Sequence, residues 1–226
     1  MDYFQRVKIR DIPVILIFLL LIAFFSIPAS REAYEKAYQT LPVLITFVKF
    51  ALMATGGEMV ARRFSTGRYV NPGFGILPKM LVWGLLGISI YWAFVIFSRG
   101  APALLPDPGE NPAMATRILT AFTVSLTMNL TFAPVMMLTH HLTDTYIASN
   151  KGRFPIGGFA VRPLLEQIDW NKMWGFIIKK TIPLFWIPAH TITFLLPEQF
   201  RTLFAAGLSV VLGIMLGAFR AKEVHP

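Results

Sequence analysis

Apolar residues gather into six long stretches separated by polar connections: Ile12–Ala29, Leu41–Ala61, Met80–Phe97, Ile118–Thr139, Ile182–Leu196 and Leu203–Phe219. A helix needs about 20 residues to cross a hydrocarbon core of roughly 30 Å, so each stretch reads as one crossing. Residues 1–226 therefore read as a single all-α domain, a multi-span transmembrane bundle of six spans with no room for a separate soluble domain. Lysines and arginines fall on alternate connections. The two tails and the second and fourth connections hold fifteen, against five on the other three. That bias is the positive-inside pattern of a multi-pass protein in a cytoplasmic (inner) membrane with both ends inside. The first stretch, followed by Ile27-Pro28-Ala29-Ser30, has the order of a secretory signal, but its apolar run is too long for one and reads as a retained span.

The connections carry their own signals. Ser30–Thr40 holds Tyr34 and Tyr38 among charges and predicts a short interfacial helix. Asn71-Pro72-Gly73 predicts a turn. Gly100–Ala115, with four prolines, predicts an extended outer loop. Asn150–Arg162 reads as a basic, glycine-containing loop. Beyond it, Trp170, Met173, Trp174, Ile177 and Ile178 follow i, i+3, i+4, i+7, i+8. This predicts an amphipathic interfacial helix over about 163–180, N-capped by Asp169 and anchored by Trp170, Trp174, Lys179 and Lys180 at head-group depth.

Composition narrows the partners. Hydrophobic residues make up 55 % of the chain, the net charge is +9 and there is no cysteine. The bases lie in short juxtamembrane segments, which points to anionic lipid head groups and not to nucleic acid. No cofactor motif, phosphate-binding loop or hydrolase signature is present, so no enzyme chemistry and no cofactor are expected.

Polar residues inside the spans are the candidate chemistry, because burying an ion at mid-bilayer costs at least about 2.5–3.5 kcal/mol. Lys49 falls near the centre of the second stretch. Glu58 lies closer to its inner end, with Arg62 four residues on as the expected ion-pair partner. The fourth stretch carries Thr116, Thr120, Thr123, Thr127 and Thr131 in a row, with Ser125 and Asn129 on a neighbouring face. An asparagine amide has more hydrogen-bonding groups than the local backbone can occupy, so Asn129 must meet another helix or water. His190 follows Pro188 in a fifth stretch broken by Pro183 and Pro188. Lys49, Glu58, Thr120, Thr123, Thr127, Asn129 and His190 are thus the expected pore-lining set, with interhelical hydrogen bonding as the competing reading. His140 and Asp144, four residues apart beside His141, could supply two metal ligands with His190 as a third, or a base with its partner, but interfacial hydrogen bonding is the favoured reading. Ala205, Ser209, Gly213 and Gly217 form a small-residue stripe that predicts close helix packing, against another span or a second copy in a homo-oligomer.

The stretch Leu52-Met53-Ala54-Thr55-Gly56-Gly57-Glu58, then Phe132-Ala133-Pro134, Trp186-Ile187-Pro188-Ala189 and Pro197-Glu198-Gln199-Phe200-Arg201 resembles, in that order, the Mpv-seventeen/peroxisomal-membrane-protein-twenty-two family. The similarity covers about residues 41–222 and leaves residues 1–40 as an additional N-terminal span; a remote prokaryotic relative is the fitting description. It implies a small multi-span membrane protein for which a weakly selective channel role has been proposed. The expected function is therefore a channel or transporter for small solutes, with a non-conducting membrane organiser or assembly partner as the alternative.

Overall fold

The computed structural model describes residues 9–107 and 109–224, with side chains given for most of them. Helices α1 (Ile12–Ser26), α2 (Pro28–Thr40), α3 (Pro42–Thr66), α4 (Ile76–Gly100), α5 (Met114–Ser149), α6 (Val161–Glu166), α7 (Trp170–Lys172), a π-helical segment π1 (Met173–Trp186), α8 (Ile187–Leu195) and α9 (Glu198–Val224) follow one another, and no strand occurs among the described residues. Four helical stretches are long and apolar enough to cross a membrane: α3, α4 with its 3₁₀ extension to Leu104, α5, and α9 as far as Met215. A fifth is reached if α1 and α2, bent by 87°, count as one.

Pro28 sets that bend. Its ring disfavours a helical residue before it, and Ile27 is accordingly extended at φ −86°, ψ 121°. α1 runs out with none of its residues buried, while α2 turns across the bundle and buries Tyr38. The root of α1 is held by Asp11, whose carboxylate accepts from Arg63 Nε at 2.8 Å and Nη2 at 2.9 Å and from the Tyr69 hydroxyl at 2.9 Å. The bidentate fork fixes distance and angle together.

α3 lies between α4 and α9, and the expected small-residue stripe is one reason. A Cβ on Gly213 would stand 3.0 Å from the Gly57 carbonyl oxygen, and one on Gly57 would stand 3.0 Å from the Val210 Cα. The stripe of Ala205, Ser209 and Gly213 therefore packs on another helix of the same chain; the side-chain position of Gly217 lies outside the described residues. Gly84 and Gly87 do the same for α4, lying under the rings of Phe47 and Phe50. Phe50, Ala54, Ile90, Phe94, Val124, Met128, Phe194 and Ala206 join in one buried core.

The expected boundary near residue 180 is corrected. Asp169 does cap, accepting from Lys172 N at 3.0 Å, but helical bonding then continues from Trp170 to Leu195 without a break. Pro183 cannot donate a helix bond, and the segment around it takes the wider winding instead. Groups five apart become neighbours: Thr181 donates to the Phe176 carbonyl, and Lys179 Nζ lies 5.8 Å from the Trp174 ring centre. Trp170, Trp174, Lys179 and Lys180 are exposed, whereas Met173 turns inward, so the predicted single face is divided. The proline-rich third connection is also less extended than expected, since Ala101–Leu104 makes a 3₁₀ turn. The Asn71-Pro72-Gly73 turn forms as read, closed by Phe74 N to Asn71 O at 3.1 Å.

Candidate functional site

A cavity of about 640 Å³ lies among α3, α4, α5, π1, α8 and α9. On α3 it is lined by Phe50, Ala54, Glu58, Ala61, Arg62 and Ser65, a stripe spaced by three and four residues. Fifteen residues at 1.5 Å rise make it roughly 22 Å long. One end is bounded by Thr66, Pro72 and Gly73, the other by Asn129, His190 and Phe94.

Its charged part is built by three helices. α3 supplies Glu58; α4 supplies Lys79 and Trp83, four residues apart; α5 supplies His140 and Asp144, also four apart. That spacing puts both members of each pair on one helix face. Lys79 Nζ donates to Glu58 Oε2 at 2.7 Å and forms an ion pair with Asp144. Trp83 Nε1 donates to Glu58 Oε1 at 2.6 Å, and His140 Nε2 lies 3.0 Å from the same oxygen. A carboxylate held by an ammonium only accepts, so the His140 proton sits on Nε2. The His140 ring lies on Trp83, with centres 4.2 Å apart.

The sequence expectation for Glu58 is corrected here. Its partner is Lys79 from the next helix, and Arg62 instead lies 5.3 Å from the Phe74 ring centre. Lys79, which the apolar pattern leaves among the bases of the second connection, is inside α4 and 7 % exposed. The spacing of Lys79 and Trp83, the same as that of His140 and Asp144, was the signal available for both. Glu58, His140 and Asp144 each offer a ligand atom within 4.8 Å of the others, so the metal trio considered from the sequence gains Glu58 in place of His190. The Lys79 ammonium is seated on both carboxylates and fills the place a cation would take.

Deeper in the cavity, Asn129 is fully buried and donates from Nδ2 to Ser125 O at 2.8 Å. Its amide nitrogen and oxygen lie 3.1 and 3.2 Å from His190 Nδ1. Ser125 donates to the Ile187 carbonyl at 2.7 Å. Trp186 stacks on His190 at 5.1 Å between ring centres. Asn129 and His190 are thus brought together: the interhelical hydrogen bond expected of Asn129 forms, and its side chain borders the cavity.

The remaining expected pore residues lie elsewhere. Thr120, Thr123, Thr127 and Thr131 donate to carbonyls four residues back on α5, which satisfies each hydroxyl locally, and the row is not among the cavity's lining. Lys49 is separate too. Its Nζ donates to Tyr34 at 2.8 Å and Thr202 at 2.7 Å, with the ring centres of Tyr34 and Tyr38 5.2 and 4.8 Å away. Two oxygens and two aromatic faces shelter the ammonium without the inner cavity.

Fold and site together define a helical protein with a partly charged cavity enclosed by apolar helices of membrane-crossing length. Comparison of the chain with protein-family models, curated proteins and solved structures finds no match.

Proposed function

We propose that the chain is an integral membrane protein that admits small solutes to the cavity among α3, α4, α5 and α9, as a channel or transporter. The carrying observation is the cavity itself: a slot some 22 Å long that holds two carboxylates, a lysine and two histidines among helices whose outer faces are apolar. Ionisable groups facing a cavity between membrane-crossing helices mark solute or ion paths in membrane proteins. Six crossings with both ends in the cytoplasm follow if α1, α3, α4, α5, the run from Trp170 to Leu195, and α9 each traverse a cytoplasmic membrane. Moving Lys79 out of the loop count leaves the alternation of bases intact, and exposed Trp170, Trp174, Lys179 and Lys180 suit anionic head groups. The resemblance to the Mpv-seventeen/peroxisomal-membrane-protein-twenty-two family supports the same reading.

Purified protein in liposomes is the test. Flux of small solutes such as iodide or glycerol is expected above that of empty liposomes and is expected to fall in Glu58→Gln and His140→Ala. Absence of flux from folded protein removes the reading. A non-conducting assembly partner is the second reading, favoured by α1, which exposes Leu16, Leu20 and Ile22 and buries nothing.

A further inference from the structure

A second, smaller cavity of about 240 Å³ lies towards the other ends of α4 and α9, lined by Tyr38, Tyr91, Ser98, Arg99, Glu198, Arg201 and Thr202. Phe94 lines both it and the large cavity. We propose that the two are halves of one path, that Phe94 is the gate between them, and that the smaller half is an entry site for small anions. This rests on the transport reading above.

The helices argue for continuity. On α9, Glu198, Arg201 and Thr202 line the outer half and Ala205, Ser209 and Gly213 the inner half, a single stripe at three- and four-residue spacing. On α4, Lys79, Trp83 and Ile90 line the inner half and Tyr91, Val95, Ser98 and Arg99 the outer half, so the lining turns round that helix and Phe94 is the residue common to both. Two unrelated pockets would not have to share a stripe on α9 and the ring of Phe94. Phe94 closes the junction from the side: it is 4 % exposed, its ring centre stands 5.6 Å from that of His190 edge-on, and it lies 5.0 Å from that of Phe194. An apolar ring at a constriction gates by excluding water.

Charge sets the solute class of the outer half. Two arginines line it against one glutamate. Lys49 lies immediately behind, bonded to the lining residue Thr202. The Arg201 guanidinium is held in place by the carbonyls of Leu196 and Phe194 and by Ser98, and a fixed cation favours anions.

The chain has no cysteine, so single introduced thiols report access from each face. Ala133→Cys marks the inner half and Ser98→Cys the outer, with a membrane-impermeant sulfonate thiosulfonate as the anionic probe and its trimethylammonium counterpart as the cationic one. With Phe94 present, the inner thiol is expected to react only from the face carrying the 67–75 loop. The outer thiol is expected to react only from the opposite face, and about tenfold faster with the anionic probe after correction for intrinsic reactivity. Phe94→Ala, and the milder Phe94→Leu, should open the inner thiol to the opposite face with at least about a tenfold rise in rate. Equal reaction of the inner thiol from both faces with Phe94 intact overturns the gate, as does no change with either substitution; equal or cation-favoured rates at the outer thiol overturn the anion site. Failure of the inner thiol to react from any face overturns both this and the transport reading. Absence of flux with the labelling pattern intact counts against transport alone.

Discussion

Lys79 and Glu58 meet across the α3–α4 contact at 2.7 Å, each from a helix whose other neighbours are mostly apolar. The lysine side chain is 9 % exposed and the glutamate 23 %, so loss of either partner leaves a charge with little access to water. Lys79→Met should destabilise the protein by about 1–3 kcal/mol, because Glu58 and Asp144 lose the ammonium between them and Glu58 keeps only Trp83 and His140. Glu58→Gln with Lys79→Met should recover part of the loss. Thermal unfolding in detergent measures both, and a double variant no better than the single one would show that the pair does not set the cost.

Gly87 and Gly56 make a paired test of helix approach. A Cβ on Gly87 would stand 2.6 Å from the Phe50 Cβ, whereas one on Gly56 meets nothing within 4 Å. Gly87→Ala should cost about 1–3 kcal/mol by overpacking. Gly56→Ala should stabilise by up to about 1 kcal/mol through helix propensity. Unfolding midpoints of the two variants moving in the same direction would contradict the packing described.

The clasp on α1 should respond to alkali. Burial, then the hydrogen bond to Asp11 and that residue's charge, push the Tyr69 phenol up from 10.0 to about 12. A group whose acid form is favoured by folding stabilises below its unfolded value and ceases to as pH rises through the folded one. The clasp is therefore expected to hold from neutral pH to about 10 and to weaken between 10 and 12. Proteolysis at the root of α1, beside Asp11, should report this, with Tyr69→Phe abolishing the step and Asp11→Asn exposing the site at all pH values.

Threonines on α5 separate lining from location. Thr127→Val removes a hydroxyl that bonds only carbonyls of its own helix, and should leave solute flux within about twofold of the parent, since no other group depends on it and the shape is kept. His140→Ala, at the charged cluster, should change flux by tenfold or more on the same assay, a difference of about 1.4 kcal/mol. Equal effects would place the path along the threonine row instead.

The helical class, four of the six expected segments of membrane-crossing length, the cap at Asp169 and the turn at Gly73 were legible because each rests on neighbours in sequence. The charged cluster was legible only in halves. His140 and Asp144 announce themselves by spacing, but their meeting with Glu58 depends on how three helices lean together, which no local pattern records. Lys79 was counted as a loop base because the apolar run starts only at Met80, yet α4 begins at Ile76, with Pro78 tolerated in its first turn. The threonine row was open to two readings, since a hydroxyl that can turn back onto its own helix is tolerated next to lipid, and the bonds to carbonyls four residues back are of that kind. Lys49 drew attention by its depth, while its shelter came from Tyr34 on a helix that bends back only after Pro28.

Asn129 presents a donor and an acceptor to the same ring nitrogen of His190 at 3.1 and 3.2 Å, while its own bond to Ser125 O holds the amide still. The imidazole can therefore keep its hydrogen on whichever nitrogen suits, with no heavy atom displaced and no net charge created. The nitrogen turned away from Asn129 then carries a hydrogen in one tautomer and a lone pair in the other, so the amide holds the ring in place without choosing between the two neutral forms.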